Sequence, residues 1–407
     1  MFAHTGKRQR LIVALVSFAV AATATILAAE TSSNSSAADN SGASAEPTVS
    51  PSPVTPAQDG NRLRIGLAYG DTLTWKSDHA LASALDDATA LGTKWIRVDL
   101  SWNNIQPDNP KNFNWQRFDR VLKAAQQHGL EVLPTISYTP KWARKSNCPG
   151  DDPSCAPAKP EDFANFAKDA AKRYAPMGVH TWEIWNEPNI PFWAPKPDAA
   201  AYTNLLKLTT KAMRAADPKA YLLMGGLAAV GTDPAKGFVS HTEFLDQVSK
   251  LGANKLVDAI AYHPYTYPHL PSAKTDFGTA FEQISSSKDN LVAVLDKYGT
   301  PDLPIWLTET GAATNGPGAA ADATTIPDGA THVTEDFQAA IAADTVPAAA
   351  ANKHVGAVFW FAHQDTGTAK DKQRRSMFYG LRRYDGTPKP AFNALRDAIT
   401  AYQRKTQ

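Results

Sequence analysis

The sequence predicts a single α/β catalytic domain, a (β/α)8 TIM barrel. Three observations lead there. From Asn61 onward, short apolar runs alternate eight times with longer amphipathic stretches, the order that builds a parallel sheet wrapped by helices. The eight pairs fill roughly 340 residues, which suits a closed barrel with inserted loops. An open doubly wound sheet is the competitor, but no glycine-rich phosphate loop follows the first strand.

The first strand is "RIGLAY" (64–69). Ser77 and Asp78 offer N-caps for the helical "HALASALDDATAL", which stops at Gly92. "KWIRVDL" and "WQRFDRVLKAAQQHG" form the second pair. "LEVLPTIS" is the third strand, and Pro160 opens its helix, "EDFANFAKDAAKRYA". "HTWEIW" with "DAAAYTNLLKLTTKAMRAA" and "AYLLMGG" with "TEFLDQVSKLG" follow. The last pairs are "VDAIAYH" with "SSSKDNLVAVLDKYG" (285–299), "LPIWLTE" with "VTEDFQAAIAADTVPAAAAN", and "VGAVFWF" with "PAFNALRDAIT".

The N-terminus belongs to no barrel. Residues 1–29 hold Lys7, Arg8 and Arg10 ahead of an apolar run with Ala22-Thr23-Ala24 inside it. This reads as a secretory signal cleaved near Ala24 or Ala29, or retained as an N-terminal membrane anchor. Residues 30–60 are Ser/Ala/Pro-rich with almost no large apolar side chains; such a segment reads as a disordered linker. The barrel domain is then 61–407, in a secreted or cell-envelope protein. Cleavage near Ala29 leaves 38 Lys+Arg against 40 Asp+Glu, so nothing favours nucleic acid as a partner. Membrane contact is confined to the signal or anchor. Cys148 and Cys155, seven residues apart in a Pro/Gly-rich loop, suggest one local disulfide in an exported protein, with two free thiols as the alternative.

Chemistry in such a barrel sits where strands end. In "TWEIWNEPNI" (181–190), Asn186 and Glu187 lie just past the fourth strand. In "PIWLTETG" (304–311), Glu309 closes the seventh. Two carboxyl groups across one barrel mouth suit glycoside hydrolysis, in which one acid stays protonated while the other carboxylate stays ionised. The Glu309 charge would raise the pKa of Glu187, and Arg97 would keep Glu309 ionised. Trp185 and Pro188 would limit water around the acid. Glu183, inside the fourth strand, and Glu131, opening the third, read as structural. Trp102, Trp142 and Trp193 fall on loops at the same face, where stacking on sugars and loop packing are both open. His180 and His241 lack metal-ligand spacing, and nothing calls for a cofactor or metal. There is no G-x-S-x-G elbow.

"WEIWNEPN" and "PIWLTETG" together resemble the clan A retaining glycoside hydrolases. "EIWNEPNIPFW", the stretch from Pro197 to Gly226 and "AYHPYTYP" are most similar to glycoside hydrolase family 39 and its bacterial exopolysaccharide-hydrolase relatives. The resemblance runs from about Asn61 to Tyr402. It implies Glu187 as general acid/base and Glu309 as nucleophile, with Asn186 on the sugar 2-hydroxyl. It implies Arg97 as the strand-two arginine, His263 and Tyr265 as the strand-six H-x-Y, and Trp360 as the sugar platform ending strand eight. The run "VFWF" leaves Phe359 and Phe361 open for that last place. Family 5 cellulases usually carry a His at the end of strand three, whereas "PTISYTPKW" does not, which favours the family 39 side. The implied function is retaining hydrolysis of β-glycosidic bonds in a carbohydrate of the cell envelope or exopolysaccharide. An inactive sugar-binding barrel is the alternative.

Overall fold

A computed structural model describes residues 62–406. The signal or anchor segment, the linker, and the barrel-domain ends at Asn61 and Gln407 lie outside the described residues. The eight expected strands form, as β1 Arg64–Gly70, β2 Trp95–Ser101, β3 Glu131–Ser137, β4 Thr181–Asn186, β5 Tyr221–Ala228, β6 Ala259–His263, β7 Ile305–Thr310 and β8 Val355–Phe361. They close in sequence order, with β1 pairing β8 in parallel. This is a (β/α)8 TIM barrel.

Helices follow the strands for local reasons. The Ser77 hydroxyl accepts from Ala80 N to start Asp78–Ala90, and Gly92 turns the chain with φ 81°, a conformation that glycine adopts without strain. Pro160 occupies the first turn of Pro160–Tyr174. Asp198 and Thr334 cap Ala199–Ala216 and Glu335–Ala350 through their side chains. The helix read over 285–299 is shorter: one turn forms at Glu282–Ser285, and the helix proper is Leu291–Lys297. Asn290 resets the start because its side chain accepts from Ala293 N, so the preceding polar run stays outside. Among the described residues no helix is long and apolar enough to cross a membrane.

Strand alternation sorts the core into two layers. Ile96, Val98 and Leu100 of β2 pack outward against the helices. Trp95 points inward with Leu133, Leu223, Ala259, Ala261, Trp306 and Phe359. Trp95 and Trp306 meet edge to face at 5.8 Å and plug the barrel, so inward residues further along each strand form a polar floor above them. Cys148 and Cys155 form a disulfide in the loop between β3 and its helix.

Candidate active site

On β2, two residues past the Trp95 plug, the same inward face presents Arg97, which is buried. All three of its guanidinium nitrogens donate. Nε and Nη2 donate to Glu183 at 2.6 and 3.1 Å, Nη1 to Glu309 Oε1 at 2.6 Å, and Nη2 also to Asn186 Oδ1 at 2.8 Å. Glu183 is wholly buried and also accepts from Gly226 N at 2.9 Å. It therefore acts as the internal counter-ion of Arg97, in keeping with a structural part.

A regular strand would send Asn186 and Glu187 to opposite faces. Instead φ is 75° at Trp185 and 47° at Glu187, a costly backbone for non-glycine residues. The kink sends Trp185 outward with Ile184 into the helix-facing core and leaves Asn186 and Glu187 both lining the cavity. On β7 the pairing with β8 slips between Leu307 and Thr310. Adjacent Thr308 and Glu309 consequently both face inward: Thr308 bonds His263, and Glu309 bonds Arg97. Bulges re-aim side chains in this way.

His263, at the end of β6, is fully buried, and its Nδ1 lies 2.8 Å from Glu187 Oε1. Its ring fits because β5 carries Gly225-Gly226: a Cβ on Gly226 would overlap the imidazole, and one on Gly225 would meet the β4 backbone. The Tyr265 hydroxyl donates to Glu309 Oε2 at 2.7 Å. One oxygen each from Glu187 and Glu309 and a ring nitrogen of His263 lie within 4.8 Å of one another. That trio has a donor set able to hold a cation. Its atoms are already engaged by one another, Arg97 and Tyr265, which favours acid–base work over ligation.

The two carboxyls have different neighbours. Burial pushes Glu187 above the ordinary glutamate range; the Glu309 charge adds to this, and His263 works against it. Burial also raises Glu309, but there the Arg97 guanidinium and the Tyr265 hydroxyl oppose the rise directly. Two carboxyls this close are most stable sharing one proton. With the arginine against Glu309, that proton belongs on Glu187. Glu187 Oε1 is engaged by His263, whereas Oε2 is buried and has no partner among the described residues.

The mouth opens into a cavity of about 1030 Å³. Of the residues read from sequence, Asn186, Glu187 and Glu309 line it directly, and Arg97, His263 and Tyr265 touch the two carboxylates from beneath. Trp360 is a correction. Along β8, Phe359 points into the barrel and Trp360 outward into the helix-facing core. Phe361, half-buried, lines the cavity instead. Alternation fixes this once Phe359 fills the space left by Gly66. Loop packing claims the other tryptophans: Trp102 and Trp193 are buried, and Trp142 packs edge-on against Trp102. His180 pairs with Asp217.

Some lining residues were not read from the sequence. Asp99 follows Arg97 by two on the same face, a spacing that was available as a signal. Burial, reinforced by Asp71 and Glu309 and opposed by Arg97, pushes its carboxyl up to about 7. Tyr138 stands at the end of β3 with φ 69° and bonds Asp99. Asp71, Tyr379 and Arg375 come from loops, where nothing in the local pattern marks them.

Comparison with known proteins gives the same picture. The model of the family described as Cellulase (glycosyl hydrolase family 5) matches residues 57–365. No curated protein matches the chain. Among solved structures, a family 39 glycoside hydrolase from Bacteroides cellulosilyticus WH2 superposes with a TM-score of 0.62 at 22% identity, over 86% of this chain and 65% of that one. The chain thus spans about two-thirds of that enzyme's length. GH5_18 from Streptomyces cattleya, in complex with GlcNAc, gives 0.62 at 19%, over 85% and 81%. The exo-beta-1,4-mannosidase Op5Man5 from Opitutaceae bacterium strain TAV5 gives 0.56 at 17%, over 84% and 60%. At these identities the likeness is one of fold. The missing strand-three histidine does not take the chain out of reach of the family 5 model.

Proposed function

The chain belongs to the cellulase family, glycosyl hydrolase family 5, and is a glycoside hydrolase; on that premise we propose that it is a retaining β-glycosidase working by double displacement. The observation that carries the reading is the unequal pair of carboxyls, with nearest oxygens within 4.8 Å. Retaining enzymes hold their carboxyl groups about 5–5.5 Å apart, and inverting ones leave roughly 6.5–9.5 Å for a water. Closest-oxygen distances run somewhat below group separations, and this one suits retention.

In this reading Glu309, ionised beside Arg97, attacks the anomeric carbon while the Glu187 carboxyl protonates the departing glycosidic oxygen. A glycosyl–Glu309 ester forms. Glu187, now ionised, then takes a proton from water, which displaces Glu309 and returns the anomeric configuration. Arg97 holds Asn186 Oδ1, leaving the Asn186 amide N–H groups to donate to the sugar 2-hydroxyl. Phe361 supplies the apolar surface under the ring. The N-terminal sequence supports export, with the domain tethered near the cell surface, and a polysaccharide of the envelope or biofilm as substrate. The neighbour named a beta-mannosidase agrees with a β-linked substrate. Proton NMR of a cleaved aryl β-glycoside tests the mechanism: the first sugar released should be the β-anomer. Release of the α-anomer first would mean inversion.

A further inference from the structure

The cavity wall carries acids, Asp71, Asp99, Glu187, Glu309 and Asp365, and the bases Lys76, Arg374 and Arg375. The Asp71 and Glu309 carboxylates both act on Asp99. Elsewhere in the wall, in the Arg375–Met377 turn after β8, stands Arg375. It is 8% exposed. Three Arg or Lys residues reach that burial among the described residues. Arg97 is bound by Glu183 and Glu309, and Lys389 by Asp365. Arg375 alone has no side-chain hydrogen bond or ion pair to any described residue, although its nitrogens are not sealed off. The groups that feel its charge are Tyr267, Tyr379 and His332, none of them an anion.

A guanidinium stays charged under any working condition, and a buried charge without a counter-ion is costly. The usual reason to keep one facing a cavity is an anion that arrives from outside. The location fits a substituent on a bound sugar. The Tyr379 ring lies 5.4 Å from Tyr265, which holds Glu309, and 5.7 Å from the Phe361 platform. Arg375 lines the same cavity, and Tyr379 feels its charge. Lys76 and Arg374 line the same cavity and add positive potential.

We propose that this cavity takes a sugar carrying an anionic substituent, a carboxylate or a sulfate, held by the Arg375 guanidinium. The inference rests on the glycosidase reading and adds the substrate class to it. A planar fork of N–H donors matches either oxyanion through two parallel hydrogen bonds.

The test is calorimetric binding of the full chain to β-linked glucuronan, mannuronan and hyaluronan oligosaccharides, to their carboxyl-reduced neutral counterparts, and to sulfated cello-oligosaccharides. At least one acidic member should bind about 10- to 100-fold more tightly than its neutral counterpart, the range expected for a hydrogen-bonded charge pair. That preference should collapse in Arg375→Gln and persist in part in Arg375→Lys. Preference for the uronates assigns a carboxylate, and preference for the sulfated set a sulfate. Neutral members binding as tightly as acidic ones throughout overturns the proposal, using wild-type protein alone. An acid preference unchanged in Arg375→Gln overturns it too. Loss of the glycosidase reading shows separately, as absence of hydrolysis across both the oligosaccharides and aryl β-glycosides.

Discussion

Replacing Arg97 by Met removes the cation that contacts both Glu183 and Glu309. The side chain is buried, so no water substitutes for the four hydrogen bonds it makes. Breaking a buried ion pair from one side costs about 3–5 kcal/mol, and here two carboxylates lose their partner at once. The variant relieves this by protonating one of them, and Glu309, left with the Tyr265 hydroxyl and the more distant His263 ring, takes a proton more readily than in the wild type. Since the ionised form of Glu309 does the work, activity should appear only at higher pH. The assay is kcat/KM on a chromogenic aryl β-glycoside across pH, with a melting curve beside it. The acid limb should move to higher pH, kcat/KM at neutral pH should fall about 10²–10³-fold through lost transition-state charge stabilisation, and the melt should shift down. An acid limb unmoved in a folded variant would refute the claim that Arg97 keeps Glu309 ionised.

Other substitutions separate packing from chemistry. Gly226→Ala drives a methyl into the His263 ring; it should cost about 1–3 kcal/mol of stability and lower kcat at least tenfold by displacing the Glu187 partner, read by melting and steady-state kinetics. Phe361→Ala should raise KM about 2- to 10-fold, in line with one aromatic contact, with little change in melting temperature. Trp360→Ala should lose about 3–5 kcal/mol of stability as a core truncation; a KM effect there without a stability loss would return the platform role to Trp360.

The barrel was legible because eight strand–helix units repeat with clear alternation and caps, and strand ends locate the chemistry once the barrel is assumed. Arg97, Glu187 and Glu309 follow from that rule and the motifs around them, whereas His263 and Tyr265 came from the family resemblance. What the pattern hides has physical causes. "VFWF" is apolar on both faces, so only the pairing of β8 beneath Gly66 settles that Phe361, not Trp360, reaches the cavity. The left-handed backbone at Trp185 and Glu187 and the slip in β7 break the period-two rule at the very residues that matter. A helix looked continuous over 285–299 until Asn290 capped its second half. Arg375 carries no local signal, because its distinguishing feature is the absence of a partner among the described residues.

The most direct test of the account is azide rescue of the two glutamate variants on an activated aryl β-glycoside. Glu309→Ala should be inactive, and azide should restore cleavage by attacking the anomeric carbon from the face the nucleophile leaves open, giving the α-glycosyl azide. Glu187→Ala should still form the glycosyl ester with a good leaving group, and azide should then give the β-glycosyl azide. Both variants should fold. A folded Glu309→Ala protein with near-wild-type turnover, or azides of the opposite configurations, would contradict the assignment of Glu309 as nucleophile and Glu187 as acid/base.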